Sequence, residues 1–300
     1  MSSNPRIPFE LASDRPLYAA PDGKPIIVQI VVNIENWRFD GAMPRKLLTA
    51  PHGLESVPDV PNFSWAEYGM RCGLPRMMEG FAARNIPISC TMNAGVVETY
   101  PRVAEAILEL GWNFVGHGLH QKSLQGEQQE EDLIAEALRI LRDFSGQKVD
   151  GWLGPGLKES LHTPDILAAH AVRFCSDWVI DDLPTWMHTK SGPIIAMPYS
   201  LEINDSVCHA VQHQPSDELL TRVRSTAALF AAESAGQPRI LTMGLHPHLM
   251  GVPHRFQALM QAVDELQARD DVIFMTCEQI ADWFEGVSPK PDPVMPKIYS

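Results

Sequence analysis

A near-continuous β-branched run, IIVQIVVN at 26–33, opens a train of alternating strand-like and helical segments, and that order restricts the fold more than any other feature. Such a run reads as a strand covered on both faces. Helix-like stretches at 66–84, 101–110, 130–144, 163–170, 217–234, 255–269 and 278–284 follow. Between them lie strand-like stretches at 86–92, 113–115, 149–152, 172–175, 194–198, 239–244 and 272–275. Strand–helix units of this length imply a parallel sheet with helices outside it. Gly146 just past one helix reads as a C-cap, and Thr163-Pro164 as a helix start. An open doubly wound sheet and a closed barrel both fit that alternation, and three segments are expected: an irregular arm at 1–25, a single domain at 26–285, and a proline-rich tail at 286–300. The long Pro- and Gly-rich stretch at 37–63 suggests a loop that covers a site.

Several function classes fall away. A net charge of −13 disfavours nucleic acid and anionic membrane as partners. No GxGxxG follows the first strand, so a dinucleotide site has no support. The five cysteines (72, 90, 175, 208 and 277) are widely spaced without a CxxC pair, as expected for reduced thiols. Residues 1–25 hold no apolar stretch of signal-peptide length, which points to a cytoplasmic protein.

In a parallel barrel, functional groups gather at the carboxyl ends of the strands. That rule collects Asn33, Glu35, Asn36 and Asn93, then His117, His120 and Gln121, then Gly154, Pro155 and Gly156. It adds Asp177, Trp178, Asp181, Asp182, His246 and His248. His117 and His246 stand out because polar groups from several strand ends converge with them. His162, His170, His188, His209, His213 and His254 read as ordinary structural or surface residues. Met77 and Met78 read as core, and the 127–131 acidic cluster as a solvated helix start.

The order of VNIEN (32–36), GHGLHQ (116–121), WLGPG (152–156), SDWVIDDLP (176–184) and GLHPHLMG (244–251) resembles the polysaccharide deacetylase (NodB-homology) family. The resemblance spans about residues 26–285 and implies a distorted (β/α) TIM-like barrel. In that family an Asp pair and two histidines four residues apart build a metal site. Here Glu35 falls at the general-base position, Asn36 at a metal-ligand aspartate, and Gln121 at the second histidine. Two of three ligands are thus amides, poor donors for a transition metal. No cofactor is therefore expected; a divalent metal such as zinc, if bound, would use His117 with His120.

The segments YGMRCG (68–73), SDWVIDDLP and GLHP resemble more closely the allantoinase-like and cyclic imide hydrolase branch. That branch implies ring opening of a small cyclic amide, imide or ureide without a required metal, by a homodimer or homotetramer. On this reading Glu35 is the general base, its pKa raised by burial, and His117 or His246 serves as oxyanion stabiliser or general acid. Asn36, Gln121, Arg71, Pro155, Gly156, Trp178, Asp181 and Asp182 would line the substrate site, with Asp181 and Asp182 orienting His246 or another site group. Two alternatives stay open: a metal-dependent N-deacetylase of an acetylated sugar or small amine, and a catalytically inactive barrel kept as a small-molecule binding module.

Overall fold

The computed structural model describes residues 3–233 and 236–296. Its strands are β1 (Ile26–Ile34), β2 (Ser89–Met92), β3 (Asn113–Gly116), β4 (Gly151–Trp152), β5 (Phe174–Cys175), β6 (Thr185–Met187), β7 (Ile194–Ala196), β8 (Arg239–Leu245) and β9 (Val272–Phe274). They form one sheet in the order β6-β7-β5-β4-β3-β2-β1-β8, with β9 also paired to β1. Every pairing is parallel except β6 with β7. The sheet curls into a distorted, incompletely closed barrel: β6 and β8 stand at its two ends and do not pair. The antiparallel β6 has no counterpart in the sequence reading, because TWM is too short to show a periodicity.

The helices are α1 (Val60–Tyr68), α2 (Leu74–Ala82), α3 (Val96–Thr99), α4 (Pro101–Glu109), α5 (Glu130–Ser145), α6 (Thr163–Ala169), α7 (Glu218–Glu233), α8 (Pro247–Met250), α9 (Pro253–Gln267) and α10 (Cys277–Val287). The long helix expected at 66–84 is instead α1 and α2 joined by a π-helical segment, Gly69–Gly73. It begins earlier, where the Asp59 side chain caps the Asn62 N–H. Gly146 does take the left-handed C-cap conformation, with φ 68°. The expected end of the helix at 217–234 includes Ser234, which lies outside the described residues. The arm contains two short 3-10 turns, and residues 288–296 carry no regular structure.

All nine residues of β1 are buried, and their alternation sorts the interior. Ile26, Val28, Ile30, Val32 and Ile34 join the large core beneath the helices. Ile27 and Val31 join a second cluster with Phe174, Ile195, Met197 and Tyr199. The same parity brings Gln29 and Asn33 to Pro198 and Tyr199, where Gln29 donates to the Pro198 carbonyl and Asn33 to the Tyr199 hydroxyl. It delivers Glu35, one step past the strand, to the barrel mouth. Polar side chains so deep require partners, and Asn33 has three: Tyr199, the Leu245 carbonyl and the Thr91 hydroxyl.

The arm is fastened from within. Arg6, 2% exposed, makes a two-pronged pair with Asp165 of α6 and donates to the carbonyls of Leu161 and His188. Arg6→Ala would remove this buried two-pronged pair and the two carbonyl contacts, a loss of ~3–5 kcal/mol. Thermal unfolding should show a Tm lower by roughly 5–15 °C; an unchanged Tm would mean that the arm does not contribute to the folded unit.

Candidate active site

Four chain segments meet at the mouth of the barrel. Glu35 follows β1, His117 follows β3, His246 follows β8, and Asp205 comes from the segment after β7 that is held to β8 by the Asn204–Gly244 bridge. All four are buried. Asp205 binds His246 twice, accepting from the backbone N–H at 2.5 Å and from Nδ1 at 2.6 Å. The opposite ring nitrogen, Nε2, lies 3.3 Å from Glu35 Oε1. The other Glu35 oxygen accepts from Trp37 Nε1 at 2.6 Å. The result is a linear array, carboxylate–imidazole–carboxylate, tied at one end by an indole.

Its charges follow from that geometry. Burial disfavours the His246 imidazolium, but the two flanking carboxylates outweigh it and lift the pKa to about 9. Burial likewise works to raise the Glu35 pKa, yet the attraction and hydrogen bond of His246, helped by His248 and Arg45, hold it well below the usual carboxylate range. This corrects the expectation of a raised pKa at Glu35: such a carboxylate is a weak base at neutral pH.

His117 is held in the opposite state. Its Nδ1 lies 2.5 Å from the Leu153 carbonyl, which can only accept, so Nδ1 carries the proton. Nε2 is then a buried lone pair with no hydrogen-bond partner. Burial lowers the pKa of this ring, against the pull of Glu35 and the Leu153 bond. Asn93 fixes the surroundings by accepting from the Asn36 backbone N–H at 2.8 Å and donating to the His117 carbonyl. Gln121 joins from the same loop through its N–H to the Asn36 carbonyl, and its side chain lies against the His117 ring. His248 lies in an aromatic nest with Trp65, Trp37 and His246, and burial pushes its pKa down to about 3.

Other expected site residues lie elsewhere. Arg71 points to solvent, 74% exposed, and pairs with Glu67 one turn back. The YGMRCG segment matters instead for close packing: a Cβ on Gly69 would fall 2.5 Å from the His248 N, and one on Gly73 into the Pro247 carbonyl. Asp181 pairs with Arg15 and caps the Leu183 N–H, while Asp182 is largely exposed; neither touches His246, whose partner is Asp205. Trp178 donates to Glu159. Pro155 packs against Gly118 beneath His117, and Gly156 makes an exposed turn with φ 68°. Asn36 donates its amide N–H to Thr99, so that donor is not free for substrate. His120 lines a cavity of about 520 Å³ beside Asn36 and Gln121.

A divalent metal of the kind the family uses does not fit these residues. Such an ion needs imidazole and carboxylate donors converging on one point. At His117 the neighbours are the neutral amides of Asn36 and Gln121, and Glu35 already holds Trp37 and His246. Among the described residues, three potential ligands of the His, Cys, Asp or Glu type converge only at Glu159, Cys175 and Asp177. There burial raises the Glu159 pKa to about 9 and that of Asp177 to about 6, and keeps the Cys175 thiol protonated.

Barrel topology, motif order and the polar mouth are those of a polysaccharide-deacetylase-like hydrolase. The chain is similar to proteins of the polysaccharide deacetylase superfamily. It is 27% identical over 302 residues to a Schizosaccharomyces pombe protein assigned by name to the polysaccharide deacetylases, covering 90% of this chain and 93% of that one. A Pseudomonas aeruginosa PAO1 structure assigned likewise superposes with a TM-score of 0.83 at 26% identity, covering 92% of this chain and 96% of that one. A solved allantoinase gives 0.84 at 25% identity over the same shares. No family model matches the sequence.

Glu159 and Asp177 yield a stability prediction. Both carboxyls have folded-state pKa values above their unfolded ones, so their protonated forms are favoured by folding. That contribution is complete in acid and is lost as pH rises from about 4.5 towards 9. Glu159→Gln keeps an acceptor for Trp178 and a donor for Asp177, and cannot ionise. The variant should exceed wild type in stability at pH 8 by about 1–3 kcal/mol, with a smaller gap at pH 5. Denaturant melts at the two pH values check this; a destabilised variant at pH 8 would contradict it.

Proposed function

We propose that the chain opens a small cyclic amide, imide or ureide by hydrolysis of a ring C–N bond, with protein acid–base groups in place of a metal. The observation that carries this reading is the pair of imidazoles held in opposite proton states: His117 with a bare Nε2, His246 with its proton kept by Asp205 and Glu35. His117 Nε2 takes a proton from water as the oxygen adds to the ring carbonyl carbon. The ring C–N bond then breaks, and His246 gives its Nε2 proton to the departing nitrogen. Proton exchange with solvent restores both rings. Glu35 keeps His246 charged and is not itself the base, while the Gln121 side chain lies against the His117 ring. An imide or ureide nitrogen leaves more readily than an ordinary amide nitrogen, which suits a site without Lewis-acid help.

The reading also carries a cytoplasmic homodimer or homotetramer. Exposed Phe9 and Leu17 on the arm, with Leu47, Leu48 and Leu54 on the 37–59 loop, offer apolar surface for such an assembly. No helix among the described residues is long and apolar enough to cross a membrane.

Purified protein treated with chelator should turn over at least one of succinimide, maleimide, hydantoin and allantoin at an unchanged rate. Loss of turnover restored by zinc would instead support the metal-dependent deacetylase. The pH profile of kcat/KM should be a bell. It rises as His117 loses its proton, below the ordinary imidazole value of 6.5, and falls as His246 loses its own near pH 9. Glu35→Gln removes one charged partner of His246 at a cost of ~1.5–3 kcal/mol, or roughly 10- to 100-fold in kcat/KM. It should also shift the alkaline limb to lower pH. A variant with wild-type rate and profile would refute the role given to Glu35.

A further inference from the structure

The SDW segment places Asp177 one peptide group away from His117, where the mechanism above leaves it unused. The Leu153 carbonyl, 2.5 Å from His117 Nδ1, belongs to the same peptide unit as the Gly154 N–H, and that N–H donates to Asp177 Oδ1 at 2.7 Å. A single peptide plane therefore bridges imidazole and carboxylate. The carboxyl lies close against the glycine: a Cβ at 154 would fall 2.7 Å from Asp177 Oδ2. Its other neighbour is Glu159, which hydrogen-bonds Asp177 and accepts the Trp178 indole N–H at 2.7 Å. Burial lifts the Glu159 pKa to about 9 but that of Asp177 only to about 6, so at neutral pH the proton between them stays on Glu159 and Asp177 is the anion.

We propose that Asp177 is a positioning residue that fixes the tautomer of His117 by holding the 153–154 peptide with its carbonyl toward the imidazole. The inference rests on the hydrolytic reading above, in which His117 Nε2 is the base, and assigns the group that keeps that nitrogen bare. Which ring nitrogen of a neutral histidine carries the proton is set by what the other one meets. A carbonyl at Nδ1 requires a proton there and leaves Nε2 open. The opposite edge of the same peptide, an N–H, requires a bare Nδ1 and puts the proton on Nε2, where it blocks the base. The local backbone does not make this choice. Gly154 sits at φ −66°, but glycine adopts positive φ about as readily, so the peptide is able to turn over. Leu153 is pinned through its own N–H to the Gly116 carbonyl, which confines that turn to the 153–154 peptide. A carboxylate has no proton to give and accepts only from the N–H edge. Asp177 thus admits one orientation of the peptide, and a charged acceptor at the N–H also strengthens the carbonyl as acceptor for His117.

The test follows the tautomer directly. Nitrogen-15 NMR of histidine-labelled wild type, with His117 assigned by difference against His117→Gln, should show the Nδ1–H form at pH 7. Asp177→Asn keeps the shape of the side chain but offers the peptide either an oxygen or an N–H, and Asp177→Ala removes the acceptor. Each variant should hold at least about a third of His117 as the Nε2–H form. Their kcat for whichever of succinimide, maleimide, hydantoin and allantoin wild type hydrolyses should fall at least about threefold for Asn and about tenfold for Ala, with KM within about threefold. In wild type, and independently of any variant, the Gly154 amide proton should resonate well downfield of a solvent-exposed glycine. Folded Asp177 variants with His117 wholly in the Nδ1–H form would overturn the proposal, as would a Gly154 amide proton at the solvent-exposed shift. If the tautomer moves while hydrolysis is unchanged, or while wild type hydrolyses none of the four, the positioning role stands and the reading of His117 as base fails. A wild-type His117 protonated on Nε2 overturns both.

Discussion

The site depends on one buried imidazole held between two carboxylates. Isolated, each of these three charges would be expensive to remove from water. Together they offset one another, because His246 uses both ring nitrogens and Asp205 uses both oxygens, one on the ring and one on the backbone N–H. The arrangement is possible only because β1 and β8 run side by side in parallel, with Val32 opposite Leu245, so that Glu35 and His246 emerge at one level. The Asn204–Gly244 bridge then brings Asp205 to the same level from the far side. Glycines at 69 and 73 let the π-helical segment lie against the His248 and Pro247 backbone, which closes the mouth behind the histidines.

The substitutions at the family's ligand positions and the proton states of the histidines belong to one account. Neutral Asn36 and Gln121 supply no charge to hold a divalent cation beside His117. In the proposed mechanism His117 Nε2 then serves as the base, while Glu35 engages His246 at 3.3 Å. The Glu159–Cys175–Asp177 cluster shows the contrast. Three potential ligands converge there, but burial keeps Glu159 and Cys175 protonated at neutral pH, which makes them poor donors to an ion.

Much of the barrel was legible in the sequence because parallel strands covered on both faces write themselves as unbroken apolar runs, as IIVQIVVN does. Strand ends then pointed to Glu35, His117 and His246, which the structure brings to one mouth. The partners of those residues were not legible. Asp205 follows no long strand and reaches His246 through a single bridge, a contact that only the three-dimensional path of residues 199–205 creates. Asp181 and Asp182 looked better placed, yet the turn after β5 spends one on Arg15 and exposes the other. The sign of the Glu35 shift is not legible for a related reason: burial alone raises a carboxyl pKa, and the opposing pull of His246 depends on a 3.3 Å approach that local sequence does not encode.

The central claim is that two imidazoles in opposite proton states carry the acid–base work. Nitrogen-15 NMR of histidine-labelled protein across a pH titration measures those states directly. The account predicts a His246 ring that remains doubly protonated at pH 7 and loses its proton near pH 9. It predicts a neutral His117 at pH 7, protonated on Nδ1. A His246 that is neutral at pH 7, or a His117 that is charged there, would contradict it.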